Sequence, residues 1–453
     1  MSAAPRRQLG LLVTAAIVIA NMIGTGVFTG AGFNARGLHD PTTILIAWVV
    51  GGIVALCGAA CYAELGTMMP KAGGEYVYLR EAYHPALGFV SGWVSLTAGF
   101  SAAIASSALL FSKYVSVLVG GGVNQKLVAV ALILAITLLH SFDTKVGGRV
   151  QAVFTAVKVA LIVVFIAAGF ASGHGDWSHF APQHGGLSNV ATTAFAIQLM
   201  YISFAYSGWN AAAYIAGEVE KPEKTLPRSL LLGTGAVMVL YVLLNALFFY
   251  AVPSDTLAGP PDTFAPVVEV GAAAASVLFG HSGGNLMTTL IALALVSAVS
   301  AMVMAGPRVY SAMAADRALP PQLAWYSKKG VPTVAVVAQG VLGILFVLVG
   351  DLGELLRFSG FTLALFAALT CGALFIMRRR GLHSAYRTPL YPLPPLVFIA
   401  ISMWIAYAQF RANPKELAVA IGVLAVGAAL YATLVKPTPP VPEARVVSDD
   451  SSG

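Results

Sequence analysis

The segment IVIANMIGTGVFTG, Ile17–Gly30, lies within a long apolar run, yet it places Asn21, Gly24 and Gly26 near its middle. Glycine weakens a helix by about 1 kcal/mol relative to alanine. A lipid bilayer contains no water that would satisfy the N–H and C=O groups of a broken helix. We therefore expect a helix break here, with its backbone groups bound by other parts of the protein or by a ligand.

The composition is that of a protein with many membrane-spanning helices. Of the 453 residues, 58% are hydrophobic and 10% are charged, and the mean hydropathy is +0.81. Apolar runs recur along the whole chain, each close to the ~20 residues that cross ~30 Å of hydrocarbon. They predict an all-α integral membrane protein that forms one membrane domain with twelve transmembrane helices. These helices are expected to begin near residues 9, 42, 85, 126, 150, 187, 227, 284, 332, 355, 390 and 416.

The basic residues predict the orientation of the chain. With twelve helices, most of the 26 Lys and Arg residues fall in the termini and in the connections on the same side of the membrane. Such a bias marks the cytoplasmic side. We therefore expect both termini in the cytoplasm and the protein in the cytoplasmic (inner) membrane. Because these charges border membrane spans, the net charge of +7 does not indicate nucleic acid as a partner.

A second interruption predicts an internal repeat. The segment FAYSGWN, Phe204–Asn210, places small and polar residues inside the sixth apolar run, as Asn21–Gly26 does in the first. Matching interruptions in two halves are typical of inverted-repeat transporters whose binding site lies at the midplane. The predicted divisions are two repeats of five helices at about 9–171 and 187–377, two peripheral helices at about 388–435 and a disordered tail at 437–453.

The first break has the donors that a carboxylate needs. If a second half-helix begins at about Gly26, the N–H groups of Gly26, Val27 and Phe28 are exposed, and a helix N-terminus carries a partial positive charge. The hydroxyl of Thr25 adds a further contact. The alternative is a close helix contact, because Gly26 and Gly30 form a G-x-x-x-G pair.

The second break has acceptors for a cation. Unwinding there frees the carbonyl groups of Phe204, Ala205 and Ser207, which suit the ammonium group of an amino acid. The ring of Phe204 is placed to close over such a ligand as a gate. An aromatic belt at the membrane interface is the alternative, and it suits Trp209 better than Phe204. Together the two breaks predict a site for a zwitterion.

Lys158 is predicted to lie at mid-membrane, where a charge costs about 2.5–3.5 kcal/mol on insertion scales. Gln151, Thr155 and Lys158 share one helical face. Ser297 and Ser300 in the eighth run are candidate partners for the ammonium group. Lys158 either binds carbonyl groups freed at the first break, in the place of a sodium ion, or carries a proton.

The chain lacks the motifs of an enzyme. GHSGG, residues 280–284, matches the G-x-S-x-G pattern, but that motif requires a strand–turn–helix setting. No phosphate-binding motif occurs. The cysteines Cys57, Cys61 and Cys371 fall in apolar runs and are interpreted as small buried side chains. We expect no enzymatic activity, no cofactor and no metal site.

Several longer motifs resemble the amino acid–polyamine–organocation (APC) superfamily, and most closely its bacterial L-type amino acid transporter (LAT) branch. The resemblance covers about residues 9 to 435. The matching segments are NMIGTGVF (21–28), CYAELGTMMPKAGGEYVYLREAY (61–83), QAVFTAVKVA (151–160), FAYSGWNAAAYIAGEVEKPEKTLPRS (204–229) and GPRVYSAMAADRALP (306–320).

The resemblance implies a five-plus-five inverted repeat (the LeuT/APC fold) with two peripheral helices, and amino acid transport by alternating access without sodium. It also implies site residues, each at its matching position. Those for the substrate carboxylate are Gly24, Thr25 and Gly26. Those for the amino group are Ile23, Phe204, Ala205 and Ser207, with Phe204 as the gate. Lys158 matches the lysine that replaces a sodium ion.

Two departures from the family pattern affect the substrate pocket. Thr25 stands where serine is frequent, and Ser207 where glycine is frequent, so the size of the substrate does not carry over. The cysteine with which animal members bind a heavy chain has no counterpart in an outer loop, and we expect no heavy-chain partner.

The sequence thus predicts a sodium-independent transporter of neutral L-amino acids that works by exchange or by proton coupling. No acidic residue lies near either break to bind a second positive charge, which argues against arginine or polyamines as the main substrate. A cationic amino acid or polyamine transporter of the same fold is the alternative, followed by a channel or a membrane-embedded enzyme. Which neutral amino acids fit, the mode of coupling, the protonation of Lys158 and the oligomeric state stay open.

Overall fold

The computed structural model describes residues 7, 9–142, 144–181, 186–263, 265–327, 330–412 and 414–435. The segment 437–453, for which disorder was predicted, lies outside the described residues. So does the side chain of Gln151.

The described chain is helical throughout, and its only β feature is an isolated bridge between Leu9 and Val219. Its α-helices are α1 Leu11–Met22, α2 Thr25–Leu38, α3 Pro41–Met68, α4 Glu75–Ala82, α5 Pro85–Val94, α6 Ala102–Leu118, α7 Gln125–Phe142, α8 Thr144–Ala171, α9 Thr193–Tyr206, α10 Ala211–Tyr214, α11 Pro222–Ala251, α12 Ser254–Ala258, α13 Val270–Ala305, α14 Pro307–Ala315, α15 Thr333–Val349, α16 Leu352–Arg379, α17 Leu393–Ala412 and α18 Pro414–Leu434. A π-helical segment, Ser95–Ser101, joins α5 to α6, and short 3-10 helices lie at Trp177–Phe180, Gly186–Ala191, Ala216–Glu218 and Pro321–Ala324.

Many of these helices have the length and the apolar composition of membrane spans. Within the described residues, seven helical segments are long and apolar enough to cross a membrane: Leu11–Leu38, Pro41–Met68, Pro85–Leu118, Pro222–Ala251, Val270–Ala315, Leu352–Arg379 and Leu393–Ala412. Shorter apolar helices lie at Gln125–Ser141, Thr155–Ala171, Thr193–Tyr206, Thr333–Val349 and Ala418–Leu434. The structure is that of a multi-pass membrane protein, while the count of twelve spans and the inverted repeat stay predictions.

Local sequence signals explain where several helices begin. Asp40 precedes Pro41, and its Oδ2 accepts hydrogen bonds from the backbone N–H and the hydroxyl of Thr43, both at 2.7 Å. Asp351 and Glu354 form a reciprocal capping box at the start of α16. Each cap satisfies backbone donors that a helix N-terminus leaves unpaired.

The broken helices lie in the middle of the bundle. α1 packs on α11, α8 and α13, and α2 packs on α9. The later helices α17 and α18 contact the outside of this arrangement, α17 on α3 and α16, and α18 on α5. The interruptions of the first and sixth apolar runs are therefore enclosed by other helices rather than turned to lipid.

Ion pairs join the helices at the end of the bundle where α1 begins. Glu64 on α3 accepts two hydrogen bonds of 2.8 Å from Arg378 on α16, and a third of 2.7 Å from the backbone of Thr388. Arg308 on α14 donates to Glu218 at 2.9 Å. The backbone N–H of Leu9 donates to Glu218 O at 3.0 Å, so the start of the chain is bound to the segment that follows α10.

Candidate functional site

The first apolar run is broken at Ile23 and Gly24. α1 ends at Met22 and α2 begins at Thr25, one residue before the predicted start at Gly26. Gly24 has φ −137° and ψ −148°, and no side chain caps α2. The first N–H groups of α2 therefore face the break without a side-chain acceptor from the N-cap residue.

The sixth run is broken between Ser207 and Asn210, where the sequence predicted it. α9 ends at Tyr206, and α10 resumes for a single turn at Ala211. Gly208 has φ +96°, a conformation that side chains rarely adopt. Glycine is thus required at this point of the break.

The two breaks lie directly against each other. A Cβ atom added to Gly208 would lie 2.7 Å from both C and O of Asn21, and one added to Gly26 would lie 2.3 Å from Cα of Ala205. At Gly30, an added Cβ would meet the ring of Trp48 at 2.8 Å. Gly26 and Gly30 therefore do form close helix contacts, and the contact of Gly26 is with the last turn of α9, just before the second break.

Lys158 binds carbonyl groups at the first break. It lies on α8 with a relative exposure of 1%, and its Nζ donates to Ile23 O at 2.7 Å and to Ala20 O at 3.0 Å. Both acceptors belong to the C-terminal end of α1, which carries a partial negative charge. The ammonium group thus satisfies backbone that the break would otherwise leave without a donor.

Ser300, a predicted partner of Lys158, is bound elsewhere. Its Oγ lies 2.7 Å from Nε2 of His140 on α7. Ser297 and Thr155 are fully or almost fully buried. The spacing of Ser297 and Ser300 indicates that they share one face of α13, but it does not specify which neighbouring helix the hydroxyl of Ser300 meets.

Tyr241 on α11 binds both breaks and was not singled out from the sequence. Its hydroxyl lies 2.6 Å from Met22 O and 3.2 Å from Ala205 O and donates toward them. The carbonyl of Phe204 accepts from the backbone N–H of Ser207 at 3.0 Å. The prediction that the Phe204 and Ala205 carbonyls are free is therefore wrong, because groups of the protein already donate to both. Each oxygen has a second lone pair that an ammonium group can use.

The remaining predicted residues are close-packed around the contact between the breaks. Thr25 is buried, and its hydroxyl lies 2.6 Å from the hydroxyl of Ser107 on α6. Ile23 and Phe204 are also buried, and an added Cβ at Gly360 would lie 3.4 Å from Cβ of Phe204. α16 is thus the neighbour of the residue predicted as the gate.

A cavity of about 90 Å³ lies beside the two breaks. Of the residues predicted for the substrate, Ser207 lines it; Ile23, Gly24, Thr25, Gly26, Phe204 and Ala205 do not. Further lining residues are Asn21, Gly208, Asn210, Phe100, Tyr214 and Glu75. Phe100 belongs to the π-helical segment between α5 and α6, and such segments are frequent at functional sites.

Glu75 brings a carboxyl group to this cavity. Its Oε1 accepts hydrogen bonds from the hydroxyl of Tyr62 at 2.5 Å and from Nδ2 of Asn210 at 2.9 Å, while its Oε2 is buried without a hydrogen-bond partner in the described structure. Glu75 lies in the connection between two spans. Burial raises the pKa of its carboxyl group to about 7, although the bonds from Tyr62 and Asn210 act in the opposite direction.

The prediction that no acidic residue lies near either break is therefore wrong. Glu75 is distant from both breaks along the chain, but its hydrogen bond to Asn210 places it at the end of the second one. The sequence signal for Glu75 was GGEYVY, residues 73–78, which lies within a segment that carries the family resemblance. Gly73 and Gly74 both have positive φ there and direct Glu75 inward at the start of α4.

Contacts between α2 and α9 close the bundle on the other side of the breaks. The rings of Phe33 and Tyr201 stack with their centroids 4.8 Å apart, and Nδ2 of Asn34 donates to Oε1 of Gln198 at 3.1 Å. Arg36 donates to Pro261 O at 2.8 Å. The cavity thus lies between these contacts and the bonds that join Leu9, Glu218 and Arg308.

Comparisons with known proteins assign this arrangement to a family. The family model described as amino acid permease matches residues 9–436. The chain belongs to the amino acid permease family. This confirms the resemblance to the APC superfamily that the motifs indicated.

Relatives are similar over nearly the whole length of this permease-family chain. It is 30% identical to the serine/threonine exchanger SteT of Bacillus subtilis (strain 168), and the match covers 94% of this chain and 96% of that protein. It is 28% identical to the b(0,+)-type amino acid transporter 1 of Mus musculus, covering 90% and 84%. It is 25% identical to the large neutral amino acids transporter small subunit 2 of Homo sapiens, covering 94% and 80%.

Proposed function

We propose that this protein is a sodium-independent secondary transporter of neutral L-amino acids that works by alternating access, through exchange or proton coupling. The observation that carries the proposal is the contact between the two helix breaks beside a cavity, with Lys158 bound to the first of them. Membership of the amino acid permease family and the names of the relatives support the class of substrate.

The N-terminus of α2 is the proposed place for the substrate carboxylate. Gly24, Thr25 and Gly26 lie at the first turn of this fourteen-residue helix, where backbone donors and the helix dipole favour an anion. Thr25 has its hydroxyl on Ser107 in the present conformation. Substrate binding then requires this first turn to separate from Ala205, which it now contacts.

The second break is the proposed place for the amino group. The carbonyl groups of Ile23, Phe204, Ala205 and Ser207 are the proposed acceptors for the amino group, with Phe204 as the gate. Because Lys158 already supplies a positive charge to the Ile23 carbonyl, a sodium ion is not needed there. This is the physical basis for proposing transport without sodium.

The proposal includes the placement of the protein in the membrane. The seven long and the five shorter apolar helices are taken as twelve spans, arranged as two inverted repeats at about 9–171 and 187–377 with peripheral helices at about 388–435. Both termini are proposed to lie in the cytoplasm, and the protein in the inner membrane. No heavy chain, cofactor, metal ion or enzymatic activity is part of the proposal.

Counterflow in proteoliposomes tests the function. Purified protein is reconstituted in sodium-free buffer, and uptake of labelled alanine, serine or threonine is measured with and without the same amino acid inside. Saturable uptake into loaded vesicles that sodium does not increase supports the proposal. Uptake that does not saturate and does not need internal substrate indicates a channel, and a chemically altered product indicates an enzyme.

A cationic amino acid is a second candidate substrate, because Glu75 lines the cavity. Competition decides between the two. If arginine displaces labelled alanine at a concentration similar to that of unlabelled alanine, the neutral specificity is wrong.

A further inference from the structure

The two carboxyl oxygens of Glu75 differ in their hydrogen bonding. Oε1 accepts from Tyr62 and Asn210, and Oε2 is buried without a hydrogen bond in the described part of the chain. A buried polar atom without a partner costs about 1–3 kcal/mol, and more if it is charged. An atom of this kind at the wall of a cavity is expected to bind something there.

The described neighbours of Glu75 do not include a positive charge. Tyr62 on α3 and Asn210 before α10 bind it through neutral groups, and the other titratable side chains that face it are Tyr78 on its own helix, Tyr214 on α10 and Cys371 on α16. A carboxylate in this position therefore lacks a counter-ion.

Three basic side chains of the surrounding helices are paired with other carboxylates. Arg80 on α4 binds Asp316 and Glu81. Arg308 binds Glu218, and Arg378 binds Glu64. None of them is free to neutralise Glu75. Protonation on Oε2 is the remaining way to remove the charge of the buried carboxyl group.

Lys158 differs from Glu75 in this respect. Its ammonium group donates to two carbonyl oxygens at the negative end of α1, so the positive form is the one that its surroundings stabilise. Near the breaks, the amine of Lys158 donates to two carbonyl groups, whereas Glu75 has an acceptor that a proton would fill.

We propose that Glu75 is the proton-binding site of this transporter, and that Oε2 takes up a proton from the cavity and returns it there during the transport cycle. The step forms one O–H bond and changes a carboxylate into a carboxylic acid. The inference rests on the proposed function as an amino acid transporter.

The hydrogen bond to Asn210 connects this proton to the substrate site. Asn210 is the last residue of the second break, three residues after Ser207, and its amide also donates to the hydroxyl of Tyr214. Ionised Glu75 accepts more strongly from Asn210 than neutral Glu75 does. Protonation therefore weakens the bond that holds the end of the break.

The test compares wild type with E75Q, Y62F and the control E81Q in proteoliposomes. Gln has the shape of protonated Glu but does not titrate, and Glu81 is a partly exposed acid on the same helix. The apparent KM for alanine counterflow is measured at equal pH inside and outside, from about pH 5 to about pH 9. We expect it to change about tenfold across this range in wild type and E81Q, and to be independent of pH in E75Q.

The variant Y62F sharpens the assignment. It removes a hydrogen bond that stabilises the carboxylate, so the midpoint of the pH profile should rise by about one pH unit. Infrared difference spectra of the purified protein give a readout that does not need transport. A band of a protonated carboxyl group should disappear as the pH rises through this midpoint in wild type, and it should be absent from E75Q.

Several results would overturn the proposal. They are a pH-independent KM in wild type, an E75Q variant that keeps the wild-type profile, and an infrared band that remains in E75Q. If arginine competes with alanine in wild type but not in E75Q, Glu75 binds a substrate cation rather than a proton. If wild type shows no counterflow at all while the infrared band titrates as expected, the proposed function fails and the proton site does not.

Discussion

The two helix breaks lie against each other, but their backbone groups are satisfied by different chemistry. At the first break a cation, Lys158, binds two carbonyl groups. At the second, neutral donors act: the hydroxyl of Tyr241 and the backbone N–H of Ser207. The second break is also joined to a carboxyl group, that of Glu75, through Asn210.

This difference indicates that the two breaks have different roles in the bundle. Lys158 donates to two carbonyl groups at the C-terminal end of α1 and so stabilises the first break. The second break is held by weaker, neutral bonds and borders the cavity, so it is the more easily rearranged of the two. We expect substitutions at the first break to reduce transport most strongly. Substitutions at the second break are expected to change how transport depends on pH.

The largest effect is expected for Lys158→Met. The substitution leaves Ala20 O and Ile23 O without their donor, at a cost of about 2–6 kcal/mol for the two groups. Counterflow of alanine should fall by at least about 30-fold. Lys113→Met on α6 is the control and should keep most of the activity. Near-normal counterflow in Lys158→Met would mean that the first break does not depend on this cation.

Gly26→Ala tests the contact between the breaks. The added Cβ would lie 2.3 Å from Cα of Ala205, and backbone cannot move aside as a side chain does. Overpacking of this kind costs up to about 3 kcal/mol. The thermal midpoint in detergent should fall and transport should drop about tenfold.

Gly235→Ala in α11 is the matched control for Gly26→Ala, because no atom lies within 4 Å of the added Cβ there. It should leave stability unchanged or raise it by up to about 1 kcal/mol. Equal effects of the two substitutions would contradict the close contact.

The pH dependence of stability tests the burial of Glu75. Its pKa is about 7 in the folded protein against a usual value of 4.5. The folded state therefore binds more protons than the unfolded state between these values, and stability is lost as the pH rises from 4.5 to 7. The loss should be about 3 kcal/mol.

Thermal midpoints in detergent, measured for wild type and E75Q, check this sign. The midpoint of wild type should fall across the window, and the fall should be smaller in E75Q. A wild-type midpoint that rises with pH across the window would show that Glu75 is ionised and compensated by a charge.

The smallest effect is expected for Tyr241→Phe. The loss of its hydroxyl removes a donor from Met22 O and Ala205 O, which costs about 1 kcal/mol if only one of them was fully bonded. The KM for alanine should rise a few-fold with little change in the expression of folded protein. Tyr407→Phe, on the exposed side of α17, should have no effect. An unchanged KM in Tyr241→Phe would show that Tyr241 does not position the breaks.

The helix breaks themselves were readable from the sequence. Glycine and polar residues inside an apolar run are unfavourable in lipid, so residues 21–26 and 204–210 predicted the interruptions that the structure has at residues 23–24 and 207–210. The free-energy cost of placing a charge at mid-membrane likewise identified Lys158 from the sequence. These are local signals, since each depends on the residue and on the run that surrounds it.

The partners of the breaks could not be read in the same way. Tyr241 and Ser107 reach the site from α11 and α6, and nothing in their own segments distinguishes them from an interfacial tyrosine or a helix serine. Glu75 reaches it from α4, and although GGEYVY marks its segment, the sequence does not show that this segment lies beside the second break. Ser300 was assigned to Lys158 by spacing, but it meets His140 because the orientation of α13 against α7 decides which face it presents.

The sequence by itself therefore determined that this protein is a helical membrane protein with two interrupted helices, a buried lysine and the motifs of its family. Those properties follow from the free energy of placing each residue in an apolar environment. Only the tertiary structure decided that the two interruptions touch, that a carboxyl group lies at the end of the second, and which side chains satisfy the opened backbone. Those properties follow from packing between helices that are distant along the chain. If one helix were shifted by one turn against its neighbour, different atoms would meet.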